Sequence, residues 1–256
     1  MELQGHSAIV TGGAGGLGSA TVRHLAGLGM GVVVFDQSAD RAEALAKELG
    51  GSTSAVAGDV VDDEAVATAI DAAKSLGPLS VVVNVAGGAT GGGRTVARDG
   101  TPHDKQVFID TLSMNAVGTF NVSRLAAAAM GANEPDDDGQ RGVIVNTASI
   151  AGIEGQAGQA AYAAAKGAIL GLTLPMARDL APLGIRVCAI APGTMGTPIM
   201  LAARDHMKRD PSEGVAFPKR MGHPAEYALL VESIVRNPYL NGENIRLDGG
   251  LRFAQK

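Results

Sequence analysis

The sequence has no tryptophan, and aromatic residues make up only 3% of it. A folded core must therefore come from aliphatic side chains. It has a single cysteine, Cys188, which excludes a disulfide framework and suits a reducing compartment such as the cytoplasm. Cys188 lies in the apolar run IRVCAIAP and reads as a small buried hydrophobe. Positive charge is scarce: 21 Lys and Arg against 26 Asp and Glu give a net charge of −5. With no basic block, nucleic acid is not the expected partner. No apolar run approaches the ~20 residues that span a bilayer, so no membrane partner is expected either. The first strand pattern begins by Ser7, so no targeting leader is expected. His6, His24, His103, His206 and His223 are scattered without ligand spacing, so no metal is expected.

What is abundant is glycine, 36 of 256 residues. Without a collagen period, that points to tight turns and close backbone approaches to a ligand. Seven short runs rich in Val and Ile occur at 7–11, 31–36, 53–59, 79–87, 142–149, 184–193 and 242–250, nearly all separated by helical patterns. This alternation predicts an α/β fold: a doubly wound, Rossmann-type parallel sheet of about seven strands with helices on both faces. A single domain over 1–256 is expected, since one large core fits a chain of this length. Three segments break the rhythm. Residues 87–105 read as a Gly-rich inserted loop, 133–142 as an acidic solvated loop, and 193–224 as a long irregular lid. The lid follows the C-terminal end of the sixth strand, where open α/β sheets bind ligands.

The segment TGGAGGLG (11–18) follows the first strand and opens the first helix. Glycines there permit positive φ and let the backbone approach a pyrophosphate, whose oxygens the helix N-terminus holds. Gly12, Gly15, Gly16, Leu17 and Gly18 form the candidate cradle, with the amides of Gly15, Gly16 and Leu17 as donors. Alone, such a turn also makes plain loops. Asp36 ends the second run 18 residues after Gly18. An acid there accepts hydrogen bonds from the adenosine ribose and repels a 2′-phosphate, so the expected cofactor is NAD rather than NADP. Asp59 either reaches the adenine, with the Val60 amide beside it, or caps a helix. Asn84 and Val85, in NVAG (84–87), line the adenosine side.

The stretch SIAGIEGQAGQAAYAAAKGAIL (149–170) is bland except for Ser149, Tyr162 and Lys166. Tyr162 and Lys166, four apart, share one helix face. Ser149 lies 13 residues before Tyr162, so the intervening loop can carry the helix back across the strand's edge. Taking hydride from an alcohol carbon requires removal of the hydroxyl proton. A tyrosine with a pKa of ~10 is a poor base at neutral pH. A lysine cation about 4–5 Å away, at an effective dielectric of ~20, is worth roughly 3–4 kcal/mol, or 2–3 pKa units. Lys166 is therefore expected to pull the Tyr162 pKa down and to bind the nicotinamide ribose, while Ser149 holds the substrate oxygen. By itself the Tyr-x-x-x-Lys spacing also fits a packed ring with its hydroxyl at the surface.

Taken in order, TGGAGGLG, NVAG, Asn115 in LSMNAVGTFNV, Ser149, YAAAK and IAPGTMGTP resemble the short-chain dehydrogenase/reductase family along the whole chain. The resemblance implies that a distorted helix at Asn115 holds a water extending a proton relay to Lys166. It implies that the Met195 backbone and the Thr197 hydroxyl meet the nicotinamide end, and that the protein is a homotetramer. MGANEPDDDGQRGVIVNTAS, EGQAGQAAYAAAKGAILGLTLPMARDLAPLGIRV, FPKRMGHPAEYALLV and NPYLNGENIRLDGGLR resemble the branch acting on 3-hydroxyacyl-CoA, also described as hydroxysteroid dehydrogenases. Pro175, inside a helical pattern where proline costs ~3 kcal/mol, adds to that likeness. The implied substrate is an acyl-CoA thioester, or else a steroid or other secondary alcohol, with Gln156 beside it. Lys208, Arg209, Lys219 and Arg220 in the lid are either solvated or meet CoA phosphates. A 3-oxoacyl-carrier-protein reductase is disfavoured by Asp36, and an NAD-binding scaffold without turnover by the intact catalytic set.

Overall fold

A computed structural model describes residues 2–204 and 210–254. Among them, β1 (Ser7–Thr11), β2 (Gly31–Asp36), β3 (Thr53–Ala57), β4 (Leu79–Asn84), β5 (Gly142–Thr147), β6 (Ile185–Pro192) and β7 (Asn244–Leu247) form one sheet. All pairs are parallel, in the order β3-β2-β1-β4-β5-β6-β7. The five central strands are buried at every residue. A strand covered on both faces cannot alternate with polar residues, which is why these segments read as continuous Val/Ile runs.

Neighbouring residues of one strand point to opposite faces and enter two separate cores. Val10, Val34 and Val83 pack with Leu25 of α1 (Gly16–Gly27), and with Tyr227 and Val231 further along the chain. Ile9, Val33 and Val82 pack on the other face with Val66 and Val122. The helices that follow are α2 (Ala39–Leu49), α3 (Asp63–Leu76), α4 (Lys105–Leu112), α5 (Gly118–Met130), α6 (Ala151–Glu154), α7 (Ala160–Leu180), α8 (Pro198–Arg204) and α9 (Pro224–Arg236). The strand order reverses between β1 and β4, and the crevice at that switch point lies outside the strands' C-terminal ends.

The strands are shorter than the apolar runs suggested. Residues 58–60, 85–87, 148–149 and 193 leave the sheet and become loops at its C-terminal edge, so Asp59 and Ser149 stand two residues past their strands. The lid is not wholly irregular, because α8 forms within it; Lys208 and Arg209 lie outside the described residues. The inserted segment 87–105 carries only an isolated antiparallel bridge, Val96 to Pro102. The expectation about apolar length is corrected: Ala160–Leu183 is long and apolar enough to cross a membrane by length and composition. Lys166, Arg178 and Asp179 interrupt the run in sequence, which hid this. In the fold, Ile169, Thr173 and Met176 of this helix are buried against the protein, while Leu174 is exposed.

Arg186, on β6, is only 6% exposed. Its guanidinium donates to the carbonyls of Ile234 and Val235 at the end of α9 (2.9 Å each), to Leu240 (2.8 Å), and to the Gln140 side chain. A cation there satisfies carbonyls that a helix leaves unpaired at its C-terminus. Gln140 belongs to the acidic loop, where Asp136 accepts from the amides of Asp138 and Gln140. That loop therefore braces Arg186 as well as facing solvent.

Candidate active site

The glycine turn closes on itself. The Gly15 amide donates to the Gly12 carbonyl (2.9 Å), so of the three expected phosphate donors only Gly16 and Leu17 stay at the helix mouth. The first turn of α1 has no acidic residue and no side-chain cap, which leaves its amides for an anion. The Ala14 amide donates to Asp36 Oδ2 (3.0 Å), tying the turn to the end of β2. A Cβ on Gly16 would lie 2.7 Å from Thr197 Cβ, so the loop after β6 passes directly over the turn. Met195 is buried and pairs with Gly222 in an isolated parallel bridge, which holds this loop in place.

Asp36 is 8% exposed and also accepts from the Ser38 amide (3.0 Å). Arg41, five residues on, approaches the same oxygen, Oδ1, at 3.4 Å and is largely exposed. The sequence reading did not anticipate Arg41, which carries no motif. A cleft of about 500 Å³ lies between Asp36, Arg41, Gly12, Gly58, Val60 and Gly87. Asp59 borders it through Gln37, whose amide donates to its carboxylate (3.0 Å), and Asp59 also accepts from the Val61 amide. The N-cap of α3 is Asp62 instead. Val60 is anchored by its carbonyl, which accepts from Asn121 (3.0 Å).

Asn84 is placed differently from expectation. Its amide nitrogen donates to Ser123 (3.0 Å) and Asn146 (2.9 Å) inside the protein, so its side chain does not line the cleft. Thr11, absent from the sequence reading, accepts from both the Val85 and Ala86 amides at 3.0 Å and so pins NVAG to the end of β1.

Ser149, Tyr162 and Lys166 converge. Ser149 stands close enough to the Tyr162 hydroxyl to lower its pKa, and Lys166 Nζ lies 5.7 Å from the Tyr162 ring centroid. Ser149 Oγ also accepts from the Ala151 amide (3.1 Å), at the start of α6. Lys166 is 3% exposed and donates to the Thr147 carbonyl (2.8 Å). Thr147 in turn donates to the Asn84 carbonyl and receives the hydroxyl of buried Tyr227 (2.7 Å).

The expected downward pull on Tyr162 is not what this geometry produces. Burial pushes the tyrosine pKa up, against the lowering by Ser149, and burial draws Lys166 itself down to about 8. Coulomb attraction alone omits the desolvation that both groups suffer here.

Asn115 sits in a π-helical turn, Ser113–Val117, between α4 and α5, which is the distortion that the family resemblance implied. Its side chain is fully buried, donates to the Gly88 and Thr111 carbonyls (2.7 and 2.8 Å), and accepts from the Gly88 amide (3.0 Å). A Cβ on Gly87, whose φ is +152°, would stand 2.4 Å from Asn115 Oδ1 and 3.1 Å from Lys166 Nζ. Only glycine allows the end of NVAG to pass between these two side chains.

Gln156, expected beside the substrate, donates to the Ala254 carbonyl (3.3 Å). Arg220 is held by Glu226 through two bonds of 2.9 and 2.7 Å, which depress the Glu226 pKa to about 2. The geometry thus gives Arg220 a partner other than a CoA phosphate, whereas Lys219 is exposed.

The glycine turn, the acid at the end of β2 and the cleft between them fit a nicotinamide dinucleotide. Gly16, Leu17, Asp36 and Lys166 are the residues that would hold it.

The sequence model of the short chain dehydrogenase family matches residues 6–208. The chain is 49% identical to 3-hydroxyacyl-CoA dehydrogenase type-2 of Homo sapiens, over 98% of this chain and 97% of that protein. It is 35% identical to ipsdienol dehydrogenase of Ips pini, over 98% and 99%. The crystal structure of 3-hydroxyacyl-CoA dehydrogenase type-2 from Mycobacterium avium superposes with a TM-score of 0.95, at 49% identity, covering all of both chains.

Proposed function

The chain belongs to the short-chain dehydrogenase family, and from that premise we propose that it interconverts 3-hydroxyacyl-CoA and 3-oxoacyl-CoA with NAD. The observation that carries this reading is the meeting of Ser149, Tyr162 and Lys166 beside the glycine turn. The likeness to 3-hydroxyacyl-CoA dehydrogenases over the full chain supports the substrate class. A bound nicotinamide dinucleotide supplies or accepts the hydride. Ser149 donates a hydrogen bond to the substrate oxygen and orients it. Tyr162 gives a proton to that oxygen in reduction and removes it in oxidation. Lys166 holds the ribose side and keeps a positive charge near the phenol. Asn115 supports this corner through Gly88. Residues 193–224 act as the lid, with Met195 and Thr197 at its base.

The test is oxidation of NADH by the purified protein with acetoacetyl-CoA, beside NADPH and a keto-steroid. Turnover with NADH and the thioester is the expected result. Turnover with the steroid alone would replace the thioester by a secondary alcohol.

NAD is proposed over NADP because the Asp36 carboxylate lines the cleft, where it would accept from ribose hydroxyls and repel a 2′-phosphate. In Asp36→Asn the repulsive charge is gone while Arg41 remains. The ratio of kcat/KM for NADPH over NADH should rise about 10- to 100-fold, the worth of one charged hydrogen bond. A ratio within twofold of the parent's would remove Asp36 from this role.

We also propose a homotetramer. Ile109, Val117, Phe120 and Leu174 are exposed on α4, α5, α7 and the π-helical turn, and they suit burial against another copy. Light scattering at micromolar concentration should report four chains; a monomer would refute this.

A further inference from the structure

A cavity of about 970 Å³ opens between Gln156, Thr194, Met200, Leu251 and Phe253. Leu251 and Phe253, which line it, pack with Ile150, the residue after Ser149, so one wall of the cavity rests on the Ser149 loop. Its far wall is the segment after β7, which no motif singled out. That wall is tied to the loop carrying Ser149. Glu154, at the end of α6, accepts from Arg246 (2.8 Å) and from the Phe253 amide (3.1 Å). Arg246 also donates to Asp248 (2.6 Å) and to the Leu251 carbonyl (2.9 Å). Ile150, next to Ser149, is packed with Val215, Leu251 and Phe253. Glu154 and Arg246 are about four-fifths buried, so this pair is shielded more than a surface ion pair.

We propose that Phe253 sets the length of the acyl group that the cavity accepts. In the same arrangement Glu154 is a positioning residue, which holds that wall against the Ser149 loop through Arg246 and the Phe253 amide. The chain-length statement rests on the acyl-CoA reading given above. Met200, Leu251 and Phe253 give the cavity an apolar side, with Asp210, Glu213 and Arg252 also in its lining. The bulk of the aromatic ring on that side limits how many methylenes fit, and one methylene discriminates by about tenfold or more.

The experiment measures kcat/KM for four-carbon and twelve-carbon 3-oxoacyl-CoA, with NADH, and takes the ratio of long to short. Phe253→Trp should lower that ratio about tenfold and Phe253→Ala should raise it about tenfold. Glu154→Ala removes both acceptor bonds and should shift the ratio in the same direction as Phe253→Ala. Glu154→Gln keeps an acceptor for the Phe253 amide and should restore most of the parent ratio. A purely structural role would lower both substrates together and leave the ratio alone. Titration of NADH reports whether each variant is folded; if the alanine variant is not, Phe253→Met carries the same sign. Ratios within twofold of the parent's across the variants overturn the proposal. If the parent reduces neither thioester, the acyl-CoA reading has failed instead. The same ratio is then taken on short and long secondary alcohols, where length-independence overturns the wall.

Discussion

Replacing Tyr162 by Phe is expected to lower kcat by about 10²- to 10⁴-fold, the range for losing a positioned proton donor. NADH should still bind, because the ring stays and only the hydroxyl beside Ser149 is lost. Ser149 retains its bond from the Ala151 amide and can still orient a substrate oxygen. It has no path to deliver a proton with the tyrosine gone. NADH binding by fluorescence titration and reduction of acetoacetyl-CoA measure the two halves. A loss of less than tenfold would show that another group moves the proton. The pH dependence follows from the same hydroxyl. Burial holds the Tyr162 pKa above its ordinary value of 10.0, so the free enzyme carries a protonated phenol at neutral pH. That form is the competent one for reduction. Oxidation needs the proton gone, so kcat/KM for the alcohol should rise with pH through the neutral range and beyond.

Lys166→Met is expected to do two opposite things: abolish turnover and stabilise the cofactor-free protein. Lys166 is buried, and its pKa falls from 10.5 to about 8 because desolvation penalises the ammonium. Between those values the unfolded chain binds more protons than the folded one, so stability rises with pH across that window. Below about pH 8 the whole cost of burying the charge is present. The gap corresponds to about 3 kcal/mol. Methionine removes it but leaves the Thr147 carbonyl without its donor, which takes back about 1–2 kcal/mol. A net gain of about 1–2 kcal/mol should appear at pH 7 as a higher urea midpoint and turn into a loss of about 1–2 kcal/mol as pH passes 10. Turnover should drop at least about 10²-fold, as the charge beside the phenol is lost. A lower urea midpoint at pH 7 would contradict the burial cost.

Much of this was legible in the linear chain. Buried parallel strands need continuous Val/Ile runs, so β1, β2, β4, β5 and β6 were placed within two or three residues. The glycine turn and Asp36 were legible because the proposed phosphate and ribose contacts each call for a particular residue type at a fixed distance from a strand end. Tyr162 and Lys166 were legible because four residues make one helical turn. The roles of Asn84 and Gly15 were misjudged for a shared reason. Both lie inside a recognisable motif, yet the side chain of one and the amide of the other are consumed by contacts within the protein. Thr11, Thr147 and Arg41 carried no signal, since an isolated hydroxyl or cation gains meaning only from what it touches.

The sequence by itself determined the sheet, the glycine turn and the candidate trio Ser149, Tyr162 and Lys166, because each rests on short-range periodicity or on residue chemistry at a strand's end. Only the tertiary structure decided how deeply Tyr162 and Lys166 are desolvated and which residues wall the cavity beside the Ser149 loop. Burial of Tyr162 and Lys166 depends on every element packed around them, and spacing along one helix does not encode it. Glu154 meets Phe253 across 99 residues of chain, and Arg186 meets the end of α9 across nearly 50. Contacts between such distant positions leave no local pattern, and they are fixed only when the whole sheet has formed.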